Sequence, residues 1–181
     1  MRQCFSALVN ACFLLSLLFI LVTPAVAADD KQPMTIAAGE GITIDGRLDE
    51  TAWQDGPWSP AYIDASTGES ADPSTRFALR FDDQYLYIGI IAQEPLIDKL
   101  KNDETKRDGN VWGDDSVEIM IDTLGYRNEY YHLMFNARGT VYDAFITESG
   151  NRKDTGWNAD IKVATFVGDD FWQVEAAVPW S

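Results

Sequence analysis

The chain predicts an all-β fold, an antiparallel β-sandwich of jelly-roll or immunoglobulin-like type. Three observations carry this. Apolar and polar residues alternate with period two along several segments of five to nine residues. Turn residues separate those segments at short intervals, as in Asp82-Asp-Gln84, Ala137-Arg-Gly139 and Gly168-Asp-Asp170. Beyond the first residues, no segment shows a long 3.6-residue period, so the strands have no helical layer to pack against and must pack sheet on sheet.

The elements follow in order. Met34–Ala37 and Ile42–Ile44 are short strand candidates, and Leu48–Gln54 has room for one helical turn with Asp49 as its N-cap. From Thr75, Phe77, Leu79 and Phe81 alternate with Arg76, Ala78 and Arg80. Tyr85–Ala92 is nearly all apolar, which predicts a central strand covered on both faces. Glu94–Gly109 is charged and reads as a long loop. Strands follow at Ser116–Asp122, Tyr130–Asn136 and Val141–Thr147, then a polar loop over Gly150–Asn158. Ala159–Val167 and Phe171–Val178 make a last hairpin.

The first 28 residues read as a secretory signal peptide. Arg2 supplies the positive start, Phe13–Val22 the apolar run, and Ala25-Val-Ala27 the small-residue cleavage site. A retained anchor would need a longer apolar run. Cleavage predicts a secreted or periplasmic protein and one domain over 29–181. Both cysteines, Cys4 and Cys12, leave with the leader, so the mature chain folds without disulfides. Removing Arg2 leaves 13 basic residues against 29 acidic ones, a balance of −16. That charge argues against nucleic acid and against membrane binding by the mature domain.

The stretch with most chemistry is Asn110-Val-Trp-Gly-Asp-Asp-Ser-Val-Glu-Ile-Met-Ile-Asp122. Trp112 stands just before a strand whose Val117, Ile119 and Ile121 share one face and Glu118 the other. A flat ring covers the apolar side of a pyranose, and a carboxylate accepts from its hydroxyls, so this is a candidate sugar site. On the next strand Tyr131, Leu133 and Phe135 share one face, which places His132 and Asn136 on the side of Glu118 if the strands pair. Each residue also has a plainer reading: packing for Trp112, a solvated carboxylate for Glu118, a satisfied polar group for His132. Trp157 offers a second aromatic plate or an edge-packing residue.

Four motifs resemble family 9 carbohydrate-binding modules. They are Ile44-Asp-Gly-Arg-Leu-Asp-Glu50 with Ala52-Trp53, Phe81-Asp-Asp-Gln-Tyr-Leu-Tyr87, Val111-Trp-Gly-Asp-Asp-Ser-Val-Glu-Ile119 and Phe171-Trp-Gln-Val-Glu-Ala-Ala-Val-Pro-Trp180. The resemblance implies a sandwich that binds polysaccharide or oligosaccharide chain ends between two tryptophans, often fused to a glycoside hydrolase, with structural calcium. It implies Trp112 as one stacking plate, Glu118 as a hydroxyl-binding carboxylate and Asn136 as a sugar contact, with His132 and Trp157 as neighbours. Asp45 and Glu50 are the candidate calcium ligands, and the competing reading there is an Asx turn. The family domain continues past Pro179-Trp180 with the second tryptophan, so those C-terminal strands are expected to be missing here. Met134 stands where the family would place a sugar-contacting arginine.

The domain itself is expected to be non-catalytic. Asp114, Asp115 and Glu118 are too close in sequence for two carboxylates flanking one glycosidic bond. A haem site is excluded because His132 and Met134 lie on one face of one strand. The rival is an accessory N-terminal sandwich domain of a larger cell-surface protein with no sugar affinity.

Overall fold

The computed structural model describes Met34 and residues 36–180. The leader expectations for residues 1–28 lie outside the described residues. The strands are β1 (Ala37–Ala38), β2 (Thr75–Phe81), β3 (Tyr85–Gln93), β4 (Ser116–Ile121), β5 (Tyr130–Asn136), β6 (Val141–Thr147), β7 (Arg152–Asp154), β8 (Lys162–Val167) and β9 (Phe171–Pro179), with one helical turn, α1 (Thr51–Gln54). They form two sheets, ordered β1-β2-β3-β9-β8 and β4-β5-β6-β7. All pairings are antiparallel except the short β1–β2 contact, which is parallel. The expected sandwich is therefore present.

The inner faces meet in one core. Ile88, Ile90 and Ala92 of β3 with Trp172, Val174 and Ala176 of β9 pack toward Leu133, Phe135, Ala137 and Val141. Val117, Ile119 and Ile121 of β4 and Tyr131's neighbour Trp157 join this layer or its edge. The alternation of each strand delivers these residues to one side.

The outer face of the larger sheet is covered as well. Trp53 from α1 is fully buried with Ala78, Tyr87 and Ala177, and Ile42, Ile44, Leu48 and Trp58 pack around it. That cover explains why β3 reads as almost continuously apolar. Ile42–Ile44 serves as this cover and forms no strand. Gly89 makes room for it, since a Cβ there would lie 3.0 Å from both Leu48 and Trp53.

Two of the motifs exist to hold each other. Glu175 of β9 is fully buried. It accepts from Trp53 Nε1 (2.9 Å) and from the backbone N–H groups of Asp45 and Gly46 (3.0 Å each). Gln173 donates to Gly46 O at 3.0 Å. Gly46 has φ +90°, and a Cβ there would sit 2.6 Å from the Thr165 carbonyl carbon, so only glycine fits. Burial pushes the Glu175 carboxyl above its ordinary value, against the pull of its three donors and with a push from Glu50. Arg80 of β2 is also fully buried, with no acidic partner among the described residues. It donates to the carbonyls of Ala52 (2.6 Å), Trp53 (3.3 Å) and Pro57 (3.2 Å), which fixes the end of α1. The N-cap position falls on Glu50 rather than Asp49, and no side chain caps it.

Candidate functional site

The site is built on the outer face of the β4–β7 sheet. In register, Glu118 faces Met134 and Met120 faces His132 across β4–β5, and Met134 faces Tyr142 across β5–β6. The alternation argument therefore holds: Glu118, His132 and Asn136 project to one side of the sheet. Met134, Tyr142, Ala144 and Ile146 form a small apolar floor on that side, capped by Val111. Val111 is fully buried in the turn Val111–Gly113. Anchoring by Val111 turns the next residue outward, and Trp112 is 59% exposed.

Trp112 meets Tyr142 edge to face, with ring centres 5.9 Å apart, and His132 meets Tyr142 similarly at 5.4 Å. His132 Nε2 lies 2.5 Å from Glu118 Oε1, close enough for an ion-pair contact. The direction is poor for a hydrogen bond, and Nε2 has no hydrogen-bonded partner. The separation makes His132 a neighbour that positions Glu118, while the Glu118 side chain stays about half exposed. This puts an exposed indole face, a carboxylate and an imidazole on one surface, which is the equipment for stacking a sugar ring and accepting from its hydroxyls.

Asn136 is a correction. It is fully buried. Its Nδ2 donates to Glu104 O and to Asp114 Oδ2, both at 2.9 Å, and its Oδ1 accepts from Thr140 N (2.8 Å) and Arg138 N (3.1 Å). All its bonding capacity is spent inside the protein, so it holds the Glu104 loop to β5 rather than offering itself to a sugar. Trp157 is a second correction. It stacks on Tyr131 with ring centres 4.8 Å apart, and Tyr131 lies on the inner face with Leu133. The sheet stands between Trp157 and Trp112, so the two cannot clamp one ligand.

Asp114 and Asp115 also serve the loop. Asp114 Oδ2 accepts from Glu104 N at 2.8 Å, and Asp115 Oδ2 accepts from Lys101 N at 2.6 Å. Burial pushes Asp114 up, but hydrogen bonds from Glu104 N, Asn136 and Asp103 N, with the Lys101 charge, hold it below the ordinary carboxylate value. Glu104 is likewise held low, by the N–H groups of Lys106, Asn110 and Thr105. Asp114 is thus engaged and nearly inaccessible, which removes it as a hydrolytic partner for Glu118.

Asp45 and Glu50 do not assemble a calcium cage. Asp45 Oδ1 accepts from Arg47 N at 2.9 Å, an Asx turn, and Glu50 Oε1 accepts from Thr43 N at 3.0 Å. Glu50 Oε2 is buried without a partner. Among the described residues, no three His, Cys, Asp or Glu side chains gather as metal ligands. The two side chains leave Asp45 Oδ2 and Glu50 Oε2 unengaged, far from the six to eight oxygens that calcium takes, so this pair does not by itself fit the ion.

Sequence reasoning missed Tyr142 and Lys153. Tyr142 alternates with Ala144 and Ile146 on β6, so the period-two signal that placed His132 could have found it. Lys153 lies on β7, whose Arg-Lys-Asp sequence gives no such signal. Two grooves open at the sandwich edges, one lined by Leu86, Ile121, Tyr131, Leu133, Trp157 and Trp180. The other is lined by Phe77, Leu79, Ile88 and Met120 among others. Both expose inner-face apolar residues, with Thr123, Asn158 and Asp160 among the polar lining of the first and Glu118 and Asp122 among that of the second.

The chain matches the family model described as carbohydrate family 9 binding domain-like over residues 44–181. Exoglucanase XynX of Acetivibrio thermocellus is 26% identical over 140 residues, a match covering 76% of this chain and 11% of that protein. The chain thus spans about a tenth of the curated relative it matches. Two solved structures are similar, both of a family 9 carbohydrate-binding module from Caldicellulosiruptor kristjanssonii. The one in complex with cellotriose has a TM-score of 0.59 at 22% identity, covering 82% of this chain and 67% of that one. The one in complex with glucose has a TM-score of 0.59 at 20% identity, covering 82% and 70%. At these identities the two structures support the fold.

Proposed function

The chain belongs to the carbohydrate family 9 binding domain-like family, and from that premise we propose that it is a non-catalytic module binding polysaccharide or oligosaccharide on the outer face of the β4–β7 sheet. The observation that carries this reading is the exposed Trp112 ring set on the same face as Glu118 and His132. A pyranose stacks on the indole while Glu118 accepts from its hydroxyls. Stacking adds about 1 kcal/mol beyond buried area, and a hydrogen bond to a charged group about 2 kcal/mol. With some apolar burial, one such wall supports a Kd on the order of 1 mM.

The reading includes export by residues 1–28 and attachment to a glycoside hydrolase. Support for export is the leader pattern of Arg2, Phe13–Val22 and Ala25-Val-Ala27. Support for attachment is the similarity to one segment of an exoglucanase. Mass spectrometry of the exported protein should give an N-terminus at Ala28 or Asp29, and an uncleaved mass would refute the export step.

The test of binding is isothermal titration with cellotriose, glucose and xylotriose. Saturable heat with at least one is expected. Silence with all three, and with algal oligosaccharides, favours the second reading, an accessory sandwich domain without sugar affinity. The observation on that side is specific: Asn136 is spent internally and Trp157 lies behind the sheet.

A further inference from the structure

The face that carries Trp112 also carries a cation that makes no ion pair among the described residues. Lys153 sits on the edge strand β7, opposite Ile146, and is exposed. Its Nζ stands 4.6 Å from the centre of the Tyr142 ring and 5.7 Å from that of Trp112. The ion pairs among the described residues are Lys101–Asp114, Arg107–Asp143 and His132–Glu118, and none includes Lys153. In a chain with 29 acidic and 14 basic residues, the ammonium is held by two aromatic faces instead of a carboxylate.

The platform under it is fixed. Tyr142 is 2% exposed, so its ring is held in place below the ammonium. Lys153 offers only donors. A group that only accepts, and carries negative charge, satisfies it. A carboxylate is such a group.

We propose that Lys153, seated on the Tyr142 ring, forms an anion subsite beside Trp112, and that the sugar bound there carries a carboxylate, as a uronosyl unit does. The pyranose lies on Trp112 and its C6 carboxylate reaches Lys153 Nζ. This inference rests on the sugar-binding reading of the same face and names the ligand class for it.

Glu118 stands on β4, at the edge of the sheet opposite β7, and its carboxylate turns to His132. One end of the face accepts from hydroxyls and the other donates to a carboxylate.

The test is isothermal titration of the whole chain with cellotriose and with its C6-oxidised counterpart of the same length and linkage. The two probes present the same ring faces and differ in charge at C6. At about 20 mM salt the oxidised trisaccharide should bind roughly tenfold tighter. In Lys153→Gln that ratio should fall to about one, and Lys153→Arg should keep part of it. Lys162→Gln, exposed on β8 of the other sheet, should leave the ratio unchanged. Raising salt to about 500 mM should shrink the preference. Thermal melting establishes that each variant is folded. A wild-type ratio of one or less overturns the subsite, as does a preference that survives in Lys153→Gln. If cellotriose binds and oxidation gains nothing, the subsite alone is wrong. If neither probe binds, the sugar surface itself is wrong and the subsite falls with it.

Discussion

Replacing Asn136 with alanine separates a structural role from a ligand role, and its cost follows from counting which partners lose everything. The two acceptors of Nδ2 keep other donors: Glu104 O still accepts from Thr140 Oγ1 at 2.7 Å, and Asp114 Oδ2 from Glu104 N at 2.8 Å. The two donors to Oδ1, Thr140 N and Arg138 N, keep none. An orphaned buried N–H costs about 1–3 kcal/mol. Thr140 N belongs at the upper end because its bond is buried, and Arg138 N at the lower end because it is partly exposed. The expected loss is about 4 kcal/mol, a large share of the roughly 5–15 kcal/mol that holds a domain together. For a domain of this size that lowers Tm by about 8–16 °C. Urea unfolding followed by tryptophan fluorescence gives the free energy, and thermal melting gives the shift. A loss below about 1 kcal/mol, together with lost sugar affinity, would refute the assignment and restore Asn136 as a ligand.

Gly46→Ala should destabilise by about 3 kcal/mol or more, because the new Cβ meets Thr165 backbone at 2.6 Å and the φ of +90° disfavours alanine; urea midpoints measure it. Trp157→Ala should cost about 2 kcal/mol through its lost packing on Tyr131 and leave cellotriose affinity unaltered by titration. Glu118→Gln should weaken binding several-fold while Tm moves by less than about 2 °C, as the Glu118 side chain is about half exposed. The pH profile should show two limbs. Glu104, Asp114 and Asp122 have depressed folded values, so their contributions are present above their ordinary 4.5, 3.8 and 3.8 and are lost as pH falls through the folded values. Glu175 is raised, so its contribution is full below 4.5 and is lost as pH rises through its folded value. Urea midpoints should therefore fall steeply below about pH 4, and Glu175→Gln should weaken the decline on the neutral side.

The strands with a buried and an open face were legible because burial writes period two into the sequence. Phe77 and Leu79 on β2 and Leu133 and Phe135 on β5 reach the core as the pattern requires. β7 was not legible, since Arg152, Lys153 and Asp154 are all exposed on an edge and no core selects among them. For the site, alternation assigned Asn136 to the correct side of the sheet but could not show its cover. The loop around Glu104 lies over that end, and a loop held by carboxylates and backbone N–H groups leaves no periodic trace. Trp157 misled for a related reason: its polar neighbours suggested exposure, while its contact with Tyr131 comes from a distant strand. The motif around Phe171–Trp180 was recognisable as a pattern, yet the work of Glu175 and Gln173 on the Gly46 turn depends on a contact 127 to 130 residues away in sequence.

The measurement that bears most directly on the central claim is a tryptophan-fluorescence titration with cellotriose, run on the unaltered chain, Trp112→Ala and Trp180→Ala. Trp53 and Trp172 are buried, and Trp112 and Trp180 are the strongly exposed indoles among the described residues. If the outer face of the β4–β7 sheet is the sugar surface, the unaltered chain and Trp180→Ala should show a saturable change in emission and Trp112→Ala should show none. The same saturable change in Trp112→Ala would contradict it.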